Sequence, residues 1–533
     1  MGTTSIIALV GMLICAVVIV CLVRFAILAA QREREENKKR KSFGMSKSAR
    51  QIIVALLPLA AMCMTACSNN EDVPTSPAAT AMHLSVNGEH YDIALPAAGA
   101  VNLTTLCTEF DAEVTVENAE EFQNVTVGGR TVTNGTCSLP VGRIDKDTQI
   151  EIAYTTGGQE GRILLNTLHT GIPEIKATGK AEADGDFYLS FVWLRLIMKY
   201  DNEGRLLFYR YEPRVITDQN DVSGWWDFKK HHGDDGKTYY SYHANDPAHA
   251  DRVMMGYDPG KRVILDEKYR VVKTIGLLTS RNGDITASEP LDGHDFYFFN
   301  PDHYIVSAYV ERDKQGQYIY ASYLQEVLND EVVFDWWSTS YKYLKTWIDP
   351  FFGLERDYVH FNSVQVLPDG DMLCSLRHLS SLVKIDRSSG SGNILWRIAG
   401  TELDEAQAFS GQHNATLLDD GTITLFDNGN GHNPQVTRLL CLKVNPETGE
   451  VTGGGNILPE GDNSYFTQAC GSFGKVGDYY VAGWGIPGLQ DGPHDRLVNE
   501  YDASGHEIFG LRLTGTSYQQ NFFNASYRCV KCQ

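Results

Sequence analysis

Four histidine stretches stand out in the second half of the sequence. They are Asp292-Gly-His294-Asp295, Asp357-Tyr-Val-His360-Phe-Asn362-Ser363, Ser375-Leu-Arg377-His378 and Gln412-His413-Asn414-Ala415. Taken singly, each histidine reads as a satisfied polar residue and Arg377 as an ion-pair residue. The set reads differently. A guanidinium offers a planar donor fork, and an imidazole can donate, accept or attack. One guanidinium among three imidazoles therefore suits a tetrahedral oxyanion ester. Three of the four stretches adjoin Gly, Asn or Asp, and strand-forming sequence runs nearby.

Those residues need a scaffold that brings distant segments together. Gly (49) and Tyr (26) are plentiful and long Ala/Glu/Lys/Leu runs are scarce, a balance that favours strands and tight turns over helix bundles. From Met82 to about Pro173, short alternating runs such as Ala112-Glu-Val-Thr-Val and Ile150-Glu-Ile-Ala-Tyr are divided by Asn87-Gly88, Gly128-Gly129 and Gly157-Gly158. This predicts a small antiparallel β-sandwich over 82–175. Over 176–533 the turns Asp201-Asn-Glu-Gly204, Pro368-Asp-Gly370, Asp419-Asp-Gly421, Pro446-Glu-Thr-Gly449 and Asp502-Ala-Ser-Gly505 sit between β-rich runs. Stacked antiparallel blades produce that rhythm, so an all-β chain ending in a β-propeller is expected, with a β-sandwich array as the structural alternative. In a propeller, strand starts face a central channel, where groups from several blades converge. Length alone allows about eight blades of 40–45 residues or six of about 60.

The N-terminus concerns address. Ile6 to Val23 is apolar and long enough to span a bilayer, with Arg32, Arg34, Lys38, Lys39, Arg40 and Lys41 behind it. Met45 then opens a second start, which makes 1–44 an extension or an upstream mis-start. Lys47 and Arg50, the apolar run Ile52–Met62 and Met64-Thr65-Ala66-Cys67 read as a lipoprotein signal over 45–66. Cys67 is then the lipidated first residue of the mature chain, and 67–81 a polar tether. Net charge is −21 (46 basic against 67 acidic), which argues against a nucleic-acid or anionic-membrane surface. An anionic substrate must be drawn in by a locally basic pocket. No cysteine spacing fits a zinc site. Cys107–Cys137 and Cys529–Cys532 are the pairs an oxidising compartment could close, though neither spacing requires it.

The ordered series from Asp357 to His378, then Val383-Lys-Ile-Asp386, Ile394-Leu-Trp396-Arg397, Gln412-His413 and Leu417-Leu-Asp-Asp-Gly-Thr-Ile-Thr-Leu-Phe-Asp427-Asn428-Gly429, resembles the bacterial arylsulfate sulfotransferase family. Tyr527-Arg528 is similar to that family's closing segment, and the likeness spans about 180–533. The resemblance implies a six-bladed propeller after a small β-sandwich, a periplasmic or envelope location, and sulfuryl transfer from aryl sulfates to phenols without a nucleotide donor or other cofactor. It implies that His413 is transiently sulfated, that His360, Arg377 and His294 act around the sulfuryl group, and that Asn362 binds substrate. A lipidated Cys67 departs from the soluble form of some members and changes the address rather than the chemistry.

Sulfuryl transfer, like phosphoryl transfer, is a loose in-line displacement with charge on the peripheral and departing oxygens. Attack by imidazole splits one exchange into two easier steps, with ping-pong kinetics. An acceptor phenol, with a pKa near 10, needs a base, and His360 or His294 would serve. Trp336, Trp337 and Trp484 read as core residues or as stacking partners for an aryl ring. The partners expected are small phenols and aryl sulfates, with a second copy of the chain left open. Gly233 to Thr238 lacks the glycine a phosphate loop needs, since His231 stands there, and no Cys/Ser-x-Pro-x-Arg motif supports a formylglycine sulfatase. Two rival readings are a metal-dependent propeller hydrolase using Asp369, Asp371, Asp427 and His432, and a surface propeller that only binds. Asp is common in turns for backbone reasons, and binding alone does not ask for this His/Arg set.

Overall fold

Alternating sequence cut by Gly, Asn and Asp leaves little room for helix. In the structure, a computed structural model, the described residues are 78–532 apart from 214–223, 247–255, 288, 315–316, 353–355, 460–464, 489–494 and 521. Among them the sole α-helix is Gly515–Gln519, and nearly everything else regular is β-strand. No helix among the described residues is long and apolar enough to cross a membrane. The extension 1–44, the signal 45–66 and Cys67 lie outside the described residues. The described residues form one compact unit.

Two sheets come first. Strands Glu89–Ala94, Ala81–Val86, Ala112–Val116 and Thr136–Leu139 pair in that order. Val101–Asn102, Gln159–Asn166, Gln149–Thr156, Gln123–Val127 and Arg130–Thr131 form the second sheet. Every other residue points inward: Met82, Leu84 and Val86 share one apolar cluster with Ile152, Tyr154, Ile163 and Leu165. Asn87-Gly88 turns the first hairpin with φ of 51° and 86°, both in the left-handed region where two-residue hairpin turns need them.

Six antiparallel sheets follow in chain order. The first holds Asp186–Phe191, Leu196–Tyr200 and Leu206–Tyr211; the second runs from Trp225–His232 to Val271–Ile275. The third runs from Phe296–Asn300 to Glu331–Trp337 and the fourth from Phe361–Val366 to Ile394–Ala399. The fifth runs from His413–Leu417 to Val451–Asn456 and the sixth from Ser472–Val476 to Glu507–Leu513. Their hairpins sit where the turn sequences stand. At the first, the Asp201 carboxylate accepts from the backbone N–H groups of Glu203 and Arg205, closing the turn locally.

Three segments tie the two regions and the chain ends together. Thr105–Cys107 adds a strand to the outer edge of the first sheet, beside Leu206–Tyr211. Ile175–Gly179 pairs with Glu507–Leu513 in the sixth sheet. The C-terminal strand Ser526–Cys532 pairs with Asp186–Phe191 at the inner edge of the first sheet. The opening strands of the six sheets touch in order, and Ser472–Val476 of the sixth returns to Ser526–Cys532 of the first.

The seven described cysteines are free. Cys529 and Cys532 lie three residues apart on one strand, roughly 10 Å at about 3.3 Å per residue, too far for a disulfide. Cys107 pairs along Phe208 and Cys137 along Val114, in different sheets.

Candidate active site

The chemistry sits at or just before the opening strands, with Arg377 in the short turn Arg377–Leu379 after the second strand of the fourth sheet, and local irregularities aim it. Pairing slips between Trp226 and Lys229 in the second sheet, between Phe361 and Ser363 in the fourth and between His413 and Thr416 in the fifth. Asp227, His360 and Asn414 each adopt φ of 51° at or beside these bulges. A bulge turns side chains out of the pleat, so residues that would alternate across the sheet can face its inner end.

The structure brings His294, His360, Arg377 and His413 together. All four are buried. The His294 ring lies 5.0 Å, centroid to centroid, from His360 and 6.4 Å from His413. His378 joins the group, 4.3 Å from the His360 ring, and its Nε2 accepts from Arg377 Nη1 at 2.9 Å. Each ring is held through Nδ1. His294 donates to Asp292 Oδ1 (2.7 Å), His360 to Asp357 Oδ2 (2.5 Å), His378 to the Asp357 carbonyl (2.5 Å), and His413 bonds Asn428 Oδ1 (2.7 Å). The Nε2 atoms of His294, His360 and His413 are left for chemistry.

Asn362 is the bulged residue of its strand. Its Nδ2 donates to the Gln412 carbonyl at 2.7 Å, while its Oδ1 is buried without a hydrogen-bond partner. It thus clamps the residue before His413.

Burial sets the charges. It pushes the pKa values of His413, His360 and His378 well below the ordinary histidine range, and the Arg377 charge adds to that in all three. These imidazoles are neutral near pH 7. Burial also lowers Arg377, to about 10, so it stays charged. Its partners are neutral: the Gln468 carbonyl (2.9 Å), Asn430 Oδ1 (3.4 Å), His378 and the face of Phe352, 4.7 Å from the ring centre. Among the described residues, no carboxylate forms an ion pair with Arg377. Asp357 and Asp349 act on it electrostatically without pairing with it, so the guanidinium suits contact with an oxyanion.

Several contributors carry little signal in the sequence. Tyr309 lies in a long strand, its hydroxyl donating to the Phe361 carbonyl at 2.5 Å and its ring 5.5 Å from His360. Trp226 stacks on Tyr527 (4.6 Å) with its ring 5.5 Å from His294. Phe352 is held by Asp349, whose backbone carbonyl accepts from its N–H. Asp292, Asp357, His378 and Asn428 stand inside or beside the sequence motifs, and their side-chain geometry supplies their roles. Tyr527-Arg528 of the closing strand belongs here too: the Tyr527 hydroxyl donates to the His294 carbonyl, and Arg528 bonds Asp227, Asp295 and the Asn362 carbonyl. Trp336, Trp337 and Trp484 each belong to an apolar cluster between strands, so core packing is the role they show.

Among the described residues, Asp357, His360 and His378 have the spacing of metal ligands. Both imidazoles donate through Nδ1 to Asp357, and the remaining nitrogen of His378 is taken by Arg377. A dication there would meet the guanidinium at close range, so the trio fits a hydrogen-bonded support better than a metal site. The rival acids are also engaged: Asp369 and Asp371 pair with Lys384, and Asp427 with His432 and Arg438.

No curated protein matches the chain. A protein of unknown function from Bacteroides caccae is similar at 12% identity, covering 65% of this chain and 98% of that one, with a TM-score of 0.38. A protein of unknown function from Dyadobacter fermentans shows 14% identity, 77% and 100% coverage and a TM-score of 0.31. A streptogramin B lyase shows 10%, 64% and 98%, with 0.30. Likeness at that level carries no argument about activity. The family comparison bears on the site itself: residues 349–509, which hold His360, Arg377, His378, His413 and Asn428, match the model for arylsulfotransferase (ASST), which supports the arylsulfate sulfotransferase family.

Proposed function

We propose that the protein moves a sulfuryl group from an aryl sulfate ester to a phenol by a ping-pong route through a sulfohistidine at His413, with no nucleotide donor. The observation that carries this reading is Arg377: a buried guanidinium with no carboxylate partner among the described residues, beside a cluster of imidazoles. A sulfate ester supplies an anion that can pair with the guanidinium directly, and the neutral His413 supplies a lone pair. The His413 nitrogen bonds to sulfur as the S–O(aryl) bond breaks, and the electron pair leaves on the phenolate. Arg377, with His294 and His360, holds the sulfuryl oxygens as charge builds on them. In the second half an acceptor oxygen bonds to sulfur, the N–S pair returns to His413, and the acceptor's proton passes to an imidazole.

His360 and His294 are each backed by a carboxylate, which suits either to take that proton. Asn362 acts on the substrate through its clamp on Gln412. The scaffold we infer is a six-bladed β-propeller: six meander sheets, opening strands in a cycle, and a first sheet completed by the C-terminal strand. The chain is taken to be exported, lipidated at Cys67 and held on an envelope membrane. Its partners are phenols and aryl sulfates.

The test mixes the protein with 4-nitrophenyl sulfate, with and without a second phenol. Acceptor-dependent nitrophenolate release with a sulfated acceptor product is expected. Equal release without acceptor would mean hydrolysis, and no turnover across a broad panel of aryl sulfates would overturn the reading.

A further inference from the structure

Of the four imidazoles at the site, His294, His360 and His413 have Nδ1 on a side chain, yet the group that takes the Nδ1 hydrogen differs. His294 and His360 face the carboxylates of Asp292 and Asp357, whereas His413 faces the carboxamide of Asn428. The orientation of that carboxamide is determined by its other end. Asn428 Nδ2 lies 2.8 Å from the Thr467 carbonyl and 3.1 Å from the Cys470 carbonyl, two acceptors that only an N–H can satisfy. Its oxygen must then face His413. An amide oxygen only accepts, so His413 Nδ1 carries the hydrogen and Nε2 holds the lone pair. Asn428 is itself fully buried.

We infer that Asn428 is the positioning residue that makes Nε2 of His413 the sulfurylated atom, and that its neutrality keeps the sulfohistidine reactive. The inference rests on the proposed sulfohistidine route and deepens it. When Nε2 bonds to sulfur and Nδ1 keeps its hydrogen, the ring takes on imidazolium character. A carboxylate at Nδ1 would stabilise that charge and slow return of the N–S pair to Nε2. A carboxamide orients the ring with a weaker, neutral hydrogen bond. The charged and titratable groups facing His413 are Arg377 and His360 from the fourth sheet and His294 from the segment before the third. Arg377 opposes positive charge on the ring, so a neutral partner at Nδ1 leaves that opposition intact. The carboxylate-backed His360 and His294 are better suited to hold a proton than to release a sulfuryl group.

Two measurements test this. The first needs no substitution: protein labelled with 15N in its histidine rings, with His413 assigned by its loss in His413→Gln, should show Nδ1 as the protonated, pyrrole-type nitrogen and Nε2 as the pyridine-type nitrogen at pH 7. A protonated Nε2 would overturn the assignment. The second compares wild type with Asn428→Asp and Asn428→Ser in single turnover. Asn428→Asp should shift the acid limb of the nitrophenolate burst to higher pH and prolong the adduct's lifetime about tenfold, following the stronger charge-assisted bond. Asn428→Ser, which can still accept at Nδ1, should leave the acid limb near its wild-type position. An unchanged acid limb and lifetime in a folded Asn428→Asp would sink the inference while leaving sulfuryl transfer intact. Absence of any adduct in wild type would instead remove the route on which it rests.

Discussion

The openings of the fourth and fifth sheets set two buried imidazoles side by side in one site. His360 carries its own left-handed backbone angle, and His413 is followed by one at Asn414. Each ring is held through Nδ1, and burial keeps each neutral. They differ in the partner: Asp357 behind His360, whose carboxyl burial pushes up, and Asn428 behind His413. On the proposed route, the same side chain at two sheet openings would handle a proton in one place and carry the sulfuryl group in the other. If that route holds, the lesson is that the atom behind the imidazole, rather than the imidazole, assigns the role.

The largest effect expected is at the carrier. His413→Ala should lower turnover by about 10⁴-fold or more, as loss of a covalent nucleophile does, measured as steady-state sulfated product. Next comes the shared anion holder. Arg377→Lys keeps a positive charge but loses the planar fork, and a rate loss of about 10²–10³-fold is expected, the usual toll for one oxyanion donor. Asp357→Asn then probes the other half of the comparison. It should slow the acceptor step by about 10²-fold, within the span of general-base effects, while the donor burst keeps its amplitude. If Asp357→Asn and Asn428→Asp had the same effect on both half-reactions, the division between the two openings would collapse.

Acid should expose what the rings share. Folded His360, His378 and His413 have pKa values well below the unfolded value of about 6.5. Below that pH the unfolded chain binds protons these rings refuse, so stability is full above about 6.5 and falls as pH drops. Each such histidine contributes about 1.4 kcal/mol per pH unit. Urea midpoints between pH 7 and 5 should fall, and fall less in His378→Gln. The smallest effect belongs to the turn acids. Asp369→Asn, at a turn with a half-exposed side chain, should change the rate less than about twofold, as a surface-type change does, and a chelator should change nothing.

Much of this was legible in the sequence. The alternating runs and Gly-bearing turns foretold strands and hairpins, and His294, His360, Arg377 and His413 do meet. The motif between 357 and 429 contained Asp357, His378 and Asn428 without saying what each would touch, because a hydrogen-bond partner across sheets depends on bulges that leave no clear signature. Tyr309 and Trp226 were hidden for a simpler reason: aromatic residues in strands look like core until the neighbouring sheet is in place. The extra strands Thr105–Cys107 and Ile175–Gly179 were equally silent, since short segments pair with whatever edge the fold presents.

The most direct test of the central claim is intact-mass analysis of the protein quenched seconds after mixing with an aryl sulfate and no acceptor. The account predicts the added mass of one sulfuryl group, lost when a phenol is supplied and never formed in His413→Ala. An adduct that persists in His413→Ala, or aryl sulfate turned over with no adduct on the chain, would contradict it.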